Sequence, residues 1–293
     1  MRTIYCIYHS VDLDGWTSAA IVLKKFGEKN VTLIPWTHGD DPPELDLPGN
    51  DVIIVDLSFS NELLHDWILN ANQVIWIDHH KSAIEKYESY DRKKELEMRV
   101  DFDCSLDTSM AACELTWKYF NSTRMPLAVL MLGKYDSFRH VGTKEESSVW
   151  GFQLAARAWI SSPQEALSVF SMGNDEIVDW IRMGAAIDKF KKREISNMLR
   201  EGVEMSGTTV GNVVIINGDR INPKSYGMVP DAFDTIICYS IKSSDLVIFT
   251  IYSDSFDVSK VAIGFGGGGH AGAAGWGMNI LQLKDLLDGE LII

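Results

Sequence analysis

The sequence predicts an α/β protein: a parallel sheet with flanking helices, a long connecting helix, and a smaller α/β domain towards the C-terminal end. Three observations carry this. Short apolar runs alternate with stretches of helical spacing through the first half of the chain. From Asn174 to Glu204 the apolar residues keep helical spacing without a proline, and strand-like segments resume after Gly207. A chain of 293 residues also exceeds the usual size of one domain. The expected division is therefore residues 1–174, a connecting helix over 175–206, and residues 207–293.

In chain order, Ile4-Tyr5-Cys6-Ile7-Tyr8 reads as a buried strand and the stretch from about Gly15 to Phe26 as a helix. Strands follow at Val31–Trp36, Val52–Val55 and Val74–Ile77, and strand, crossover, strand in this order implies parallel pairing. The charged stretch Glu85–Arg99, with Arg92-Lys93-Lys94 inside it, reads as a solvated helix or loop. Helices are expected at Ser109–Phe120, Pro126–Leu132 and Ser147–Ala158. In the connecting helix, Lys189, Lys191, Lys192 and Arg193 read as a solvated face. Strands are then expected at Val210–Ile216, Thr235–Tyr239 and Leu246–Tyr252, ahead of a glycine-rich segment.

Composition narrows the function classes. Hydrophobic residues make up 46% of the chain, enough for real cores, yet the apolar runs are too short to cross a bilayer. The opening Met1-Arg2-Thr3 lacks a signal-peptide pattern, so a cytoplasmic protein without a membrane partner is expected. Cys6, Cys104, Cys113 and Cys238 have no paired metal spacing and read as buried, reduced thiols. The formal net charge of −14 disfavours long duplex nucleic acid, whose phosphates need many Lys and Arg. A small phosphate ester or short oligonucleotide remains compatible, because bound divalent ions invert the local field.

Three strand ends carry the chemistry. Asp78-His79-His80 follows Val74–Ile77; His9, Asp12 and Asp14 follow the first strand; Asp56 follows Val52–Val55. The C-terminal ends of parallel strands are where such sheets bind ligands. Carboxylates crowded there repel one another and lose hydration unless cations sit among them. Oxygen and imidazole donors without thiolate suit manganese, magnesium or iron better than structural zinc. The plainer reading is that each Asp caps the helix after it.

These residues resemble the DHH phosphoesterases. Asp12-Leu13-Asp14-Gly15 with Ser18-Ala19-Ala20 is similar to the family's first motif, Asp56 to its second, and Asp78-His79-His80 to the triplet that names it. Phe265-Gly266-Gly267-Gly268-Gly269-His270-Ala271-Gly272-Ala273-Ala274-Gly275 resembles the signature of the DHH-associated C-terminal domain. The resemblance implies two divalent ions, manganese first with magnesium or cobalt as substitutes, about 3.5–4 Å apart. It makes Asp56 the bridge, His9 and Asp12 the partners of one ion, and Asp14 and His79 those of the other. Asp136, from a later loop, completes the set. His80 faces the scissile phosphate, and Asp78 orients an imidazole. Gly267, Gly268, Gly269 and His270 form a substrate clamp, with Arg139 as a further substrate contact.

Two features depart from the family pattern. His9 lies three positions before Asp12, an offset that differs among branches, and Tyr252-Ser253-Asp254-Ser255 places an acid where an Arg often precedes a Ser. Trp16, Phe138 and Trp150 read as core in preference to base-stacking. The implied activity is a metal-dependent phosphodiesterase or exonuclease-like hydrolase of short nucleotides: oligoribonucleotides, dinucleotides or nucleotide bisphosphates. A pyrophosphatase or short-chain exopolyphosphatase, and a nucleotide-binding sensor without turnover, are the alternatives.

Overall fold

Side chains of the first sheet alternate between two apolar layers. Cys6, Ile53, Val55, Ile75 and Ile77 face one core, and Ile7, Val52, Ile54, Val74 and Trp76 the other, which is the period of an extended chain buried on both sides. The computed structural model describes residues 2–218, 221–228 and 231–287; Met1 and Ile293, the limits of the expected domains, lie outside them. The chain divides into two compact units, residues 1–187 and 188–293.

In the first unit, β1 (Ile4–His9), α1 (Leu13–Phe26), β2 (Val31–Trp36), β3 (Asp51–Val55), α2 (Asn61–Asn70), β4 (Gln73–Asp78), α3 (Lys81–Glu88), α4 (Lys93–Glu97) and β5 (Phe102–Leu106) follow one another. The sheet order is β2-β1-β3-β4-β5, every pair parallel. From β1 the chain first winds outward to β2, then returns to β3 on the other side. The crevice at that reversal, outside the C-terminal ends of β1 and β3, is the natural ligand site of such a sheet. Then come α5 (Ala112–Phe120), α6 (Leu127–Asp136), α7 (Glu146–Trp159), the short α8 (Pro163–Ala166) and α9 (Asn174–Glu201). Helices α1, α5, α6 and α7 cover one face through Ala19, Ile21, Leu115, Leu132 and Phe152, while α2, α3 and α4 cover the other through Leu64, Ile68, Tyr87 and Leu96.

The expected strands of this unit are present within a residue or two, but β5 and α2 were not expected. Strand β5 carries Asp103 and Ser105 between its apolar residues and only Phe102 is buried, so it lacks an apolar run. Helix α6 also runs past Leu132 to Asp136, through Gly133. Asp136 therefore sits in the last helical turn, not in a loop.

The break between units falls inside α9. In the second unit, β6 (Val203–Thr208), β7 (Gly211–Asn217), β8 (Thr235–Ile241), β9 (Leu246–Ser253), α10 (Ser259–Gly264), β10 (Gly268–His270), β11 (Ala273–Asn279) and α11 (Ile280–Leu287) build a mixed sheet, order β10-β11-β9-β8-β7-β6. Within this second sheet, β7 and β8 form the only parallel pair among the described strands. One sheet face packs Ile215, Ile237, Phe249 and Trp276 against Leu283 and Leu286 of α11; the other packs Val214, Ile216 and Ile236 on Ile195 and Leu199 of α9. The glycine-rich segment, expected as a loop, is partly strand. A Cβ on Gly267 would lie 2.1 Å from Gly275 O, and one on Gly269 2.5 Å from Ala274 Cα, so close strand approach requires glycine at both. All four cysteines are free thiols, and among the described residues no helix is long and apolar enough to cross a membrane.

Candidate metal centre

The crevice between β1 and β3 gathers six of the expected donors. His9 Nδ1 lies 3.1 Å from Asp12 Oδ2 and 3.6 Å from Asp56 Oδ2. His79 Nε2 lies 3.3 Å from Asp56 Oδ1, 3.3 Å from Asp136 Oδ2 and 3.6 Å from Asp14 Oδ2. Ligand atoms of His9, Asp12 and Asp56 all fall within 4.8 Å of one another, as do those of Asp14, His79 and Asp136. Asp56 stands between the two groups, one oxygen towards each histidine. His9 and Asp12 thus converge at their three-residue offset.

Local structure explains each placement. Asp12 is the N-cap of α1: its Oδ1 accepts from Gly15 N at 3.0 Å, so the capping reading and the cluster reading hold together for this residue. Gly15 is required because a Cβ there would lie 2.0 Å from His9 O. Asp14, 3% exposed, accepts from Ala112 N at 2.9 Å and Cys113 N at 2.8 Å. These are the first amides of α5, whose N-cap, Ala111, has no side-chain acceptor to offer them. Asp56 sits at φ 60°, a left-handed conformation that Asp tolerates, with its N–H donating to Ile77 O at 3.0 Å. Holding it there costs on the order of 1–3 kcal/mol. Burying Val52, Ile53, Ile54 and Val55 beside it gains roughly 1.5–3 kcal/mol each, which more than offsets that strain.

Burial and mutual charge set the ionisation of these groups. Burial, then the charges of Asp56 and Asp136, push Asp14 well above the usual carboxylate range. Burial and Asp56 likewise raise Asp136 to about 6. Burial opposes ionisation of Asp56, but His79 and His9 outweigh it and hold its pKa low. Asp12 and Asp56 raise His9 to about 10. Among the described residues neither Asp56 oxygen accepts a well-formed hydrogen bond, although the residue is only 2% exposed. Such orphaned buried oxygens, beside imidazoles and three further carboxylates, fit divalent ions that take oxygen and nitrogen ligands. Cys113 does not join them: burial and Asp14 push its thiol far up, leaving no thiolate.

The sequence profile of the DHH family, N-terminal domain, matches residues 3–134, a span that holds every one of these donors except Asp136. Residues 3–134 are a DHH-family domain. No curated protein matches the chain significantly in sequence. Among solved structures, the fold is similar to that of a pGpG-specific phosphodiesterase, PggH, from Vibrio cholerae, at 13% identity and a TM-score of 0.53, covering 99% of this chain and 97% of that one. It is also similar to the DHH domain of a member of a ribosomal protein family, at 14% identity and a TM-score of 0.53, covering 99% and 86%.

In this DHH domain the triplet divides its work. His79 enters the cluster, whereas Asp78, fully buried, accepts from His79 N at 2.8 Å, His80 N at 3.2 Å and His80 Nδ1 at 2.7 Å, all on Oδ1. That bond to Asp78 raises His80 to about 9 and fixes its ring. A ring nitrogen of His80 also lies within 4.8 Å of ligand atoms of Asp56 and His79.

The turn after Asp136 differs from expectation. The Arg139 guanidinium pairs with Glu114, a buried carboxylate, and its Nε donates to Ser137 Oγ at 2.7 Å, so the arginine is engaged within the domain. His140 Nδ1 lies 3.0 Å from Lys134 O, with its ring stacked on Tyr135. Pinned on both sides, Phe138 adopts φ 56° and is 74% exposed, which overturns its reading as core. Trp16 packs against the core as expected, and Trp150 stacks on Tyr135.

Sequence reasoning missed two groups at the centre. Glu114 braces the Asp136 turn through Arg139 and returns to Ala111 N at 3.3 Å; its spacing before an apolar helix was the available signal. His38, whose ring centroid is 6.0 Å from His9 and 6.4 Å from His80, lies in a polar stretch with no motif around it. Gly267, Gly268, Gly269 and His270 belong to the second unit, where β10 pairs with β11 and leaves His270 exposed.

Proposed function

We propose that this chain is a metal-dependent phosphodiesterase of short nucleotides, acting on oligoribonucleotides, dinucleotides or nucleotide bisphosphates, with manganese as the working ion. The observation that carries the reading is the Asp56 carboxylate with one oxygen towards each of two donor groups, which suits a bridge between two ions. His9, Asp12 and Asp56 would hold one ion, and Asp56, Asp14, His79 and Asp136 the other. When bound, divalent ions supply Lewis-acid polarisation of the phosphoryl group and activation of the attacking water.

The chain's own residues do the remaining work. Asp78 keeps a proton at His80 Nδ1, so Nε2 is the atom left to donate to a phosphoryl oxygen or the leaving group. The amides of α5 fix Asp14 so that it need not reorganise as charge develops. Residues 207–293 act as the substrate-binding domain, with Gly267, Gly268, Gly269 and His270 as its phosphate contact. The net charge of −14 favours short substrates over long ones.

The test is product analysis on metal-stripped protein resupplied with manganese, magnesium or cobalt. The panel holds pGpG and other dinucleotides, short RNA, a nucleotide bisphosphate, pyrophosphate and tripolyphosphate. Manganese-dependent release of mononucleotides is expected. Turnover restricted to the inorganic substrates, or none on any substrate with the metals bound, would overturn the proposal.

A further inference from the structure

Beside the DHH centre, within the same unit, lies a cavity of about 340 Å³ that none of the motifs accounts for. Its lining joins segments that also carry the donors. Ser58, Phe59, Ser60 and Asn61 follow Asp56, and Ala83 and Lys86 belong to α3, which starts directly after His80. Trp36, His38 and Pro42 come from the end of β2 and the segment beyond it. His38 connects the cavity to the centre, since its ring lies 5.3 Å from Trp36 on one side and 6.0 Å and 6.4 Å from His9 and His80 on the other.

One side of the lining is aromatic, with Trp36, His38 and Phe59 in ring contact. The Phe59 ring is 4.7 Å from Trp36 and 4.8 Å from Trp67. Trp36 Nε1 donates to Asp41 O at 3.2 Å, and Thr37 N to Asp40 Oδ2 at 3.1 Å, which ties down the turn bearing His38. Polar groups from Ser58, Ser60, Asn61 and Lys86 complete the lining. Asn61 gives its amide N–H to Lys86 O at 3.1 Å, and the Lys86 ammonium has no ion-pair partner among the described residues of this acidic protein. A cavity that sets the rings of Trp36, Phe59 and His38 among several polar groups, at the lower end of the roughly 300–1,000 Å³ range of ligand sites, takes one small planar group. Inorganic phosphate chains have no use for such walls, whereas every nucleobase has a π-face to stack.

We infer that this cavity is the nucleobase subsite of the DHH centre: it receives the base of the nucleoside attached to the scissile phosphate, with Lys86 balancing a phosphate at its mouth. The inference rests on the phosphodiesterase reading and adds that the base, not the phosphate alone, is recognised.

Binding tests it independently of turnover. Calorimetry on the full-length, manganese-loaded protein compares nucleoside 5′- and 3′-monophosphates with ribose 5-phosphate, which has the phosphate and sugar but no base. At least one nucleotide should bind roughly tenfold or more tighter than ribose 5-phosphate. Ala83→Leu, which fills the cavity from a helix that tolerates leucine, should bring the two within about twofold. Should that variant fail to fold, His38→Ala, at an exposed position, is expected to lose most of the same preference. Equal wild-type affinity for all nucleotides and ribose 5-phosphate would overturn the inference, as would a folded Ala83→Leu protein that keeps the full preference. Absence of hydrolysis with the binding preference intact would sink the phosphodiesterase reading and leave the subsite standing.

Discussion

Asp56→Asn separates the two jobs that its position combines, because asparagine also tolerates the φ of 60° found there. Without metal, the change loses the pairing of Asp56 with His79 and His9 but relieves the repulsion that raises Asp14 and Asp136. These opposite effects should leave metal-free stability within about 1–2 kcal/mol of wild type. With metal the outcomes diverge. An ion at a hundred times its Kd stabilises the folded state by about 2.7 kcal/mol. For a unit of 187 residues, at roughly 2–4 °C per kcal/mol, that is a rise in Tm of about 5–11 °C. The wild type should show this rise when manganese is added; Asp56→Asn should show little of it, and its turnover should fall roughly 10³-fold or more. The measurements are thermal unfolding with and without manganese, bound metal per chain, and initial rates on the best substrate of the panel. A variant with wild-type metal content, Tm rise and turnover would refute the bridge.

Gly15→Ala should destabilise the protein by about 2–4 kcal/mol in chemical denaturation and weaken metal uptake, since its methyl would meet His9 O at 2.0 Å; wild-type stability would show that α1 yields there freely. Asp78→Asn should lower kcat about 10–100-fold at unchanged metal content and shift the pH–rate profile, because His80 loses its charged partner; an unaltered profile would contradict the orienting role. Metal affinity should rise with pH between 6 and 8. His9, raised to about 10, is protonated over that range and must shed its proton to ligate, so apparent Kd falls up to about tenfold per pH unit for each proton released. Calorimetry in buffers of different ionisation enthalpy reads those protons directly, and finding none released would count against His9 as a ligand. His270→Ala should raise KM by roughly tenfold or more, the loss of one charge-assisted bond, while metal content holds; an unchanged kcat/KM in the folded variant excludes a phosphate contact.

Much of this protein could be read from its residues in order. The apolar runs at Ile4–Tyr8, Val52–Val55 and Val74–Ile77 determine strands buried on both faces, because no other short element hides four or five consecutive apolar side chains so close to chain reversals. The acids and imidazoles directly after those runs had to emerge at one edge of a parallel sheet. What local sequence could not carry were contacts made across the chain. Strand β5 forms despite its polar residues because β4 offers it a partner. Asp14 is held by the amides of α5, far along the sequence. Arg139 is spent on Glu114, and that brace, together with His140, turns Phe138 out into solvent.

The order β2-β1-β3-β4-β5 matters most of all, since it puts the reversal beside His9 and Asp56 and brings His79 and Asp136 to the same crevice. Sequence by itself determined which residue types stand at strand ends. Only tertiary packing decided which ends become neighbours, because pairing strands buries area and aligns hydrogen bonds between segments that local sequence describes one at a time.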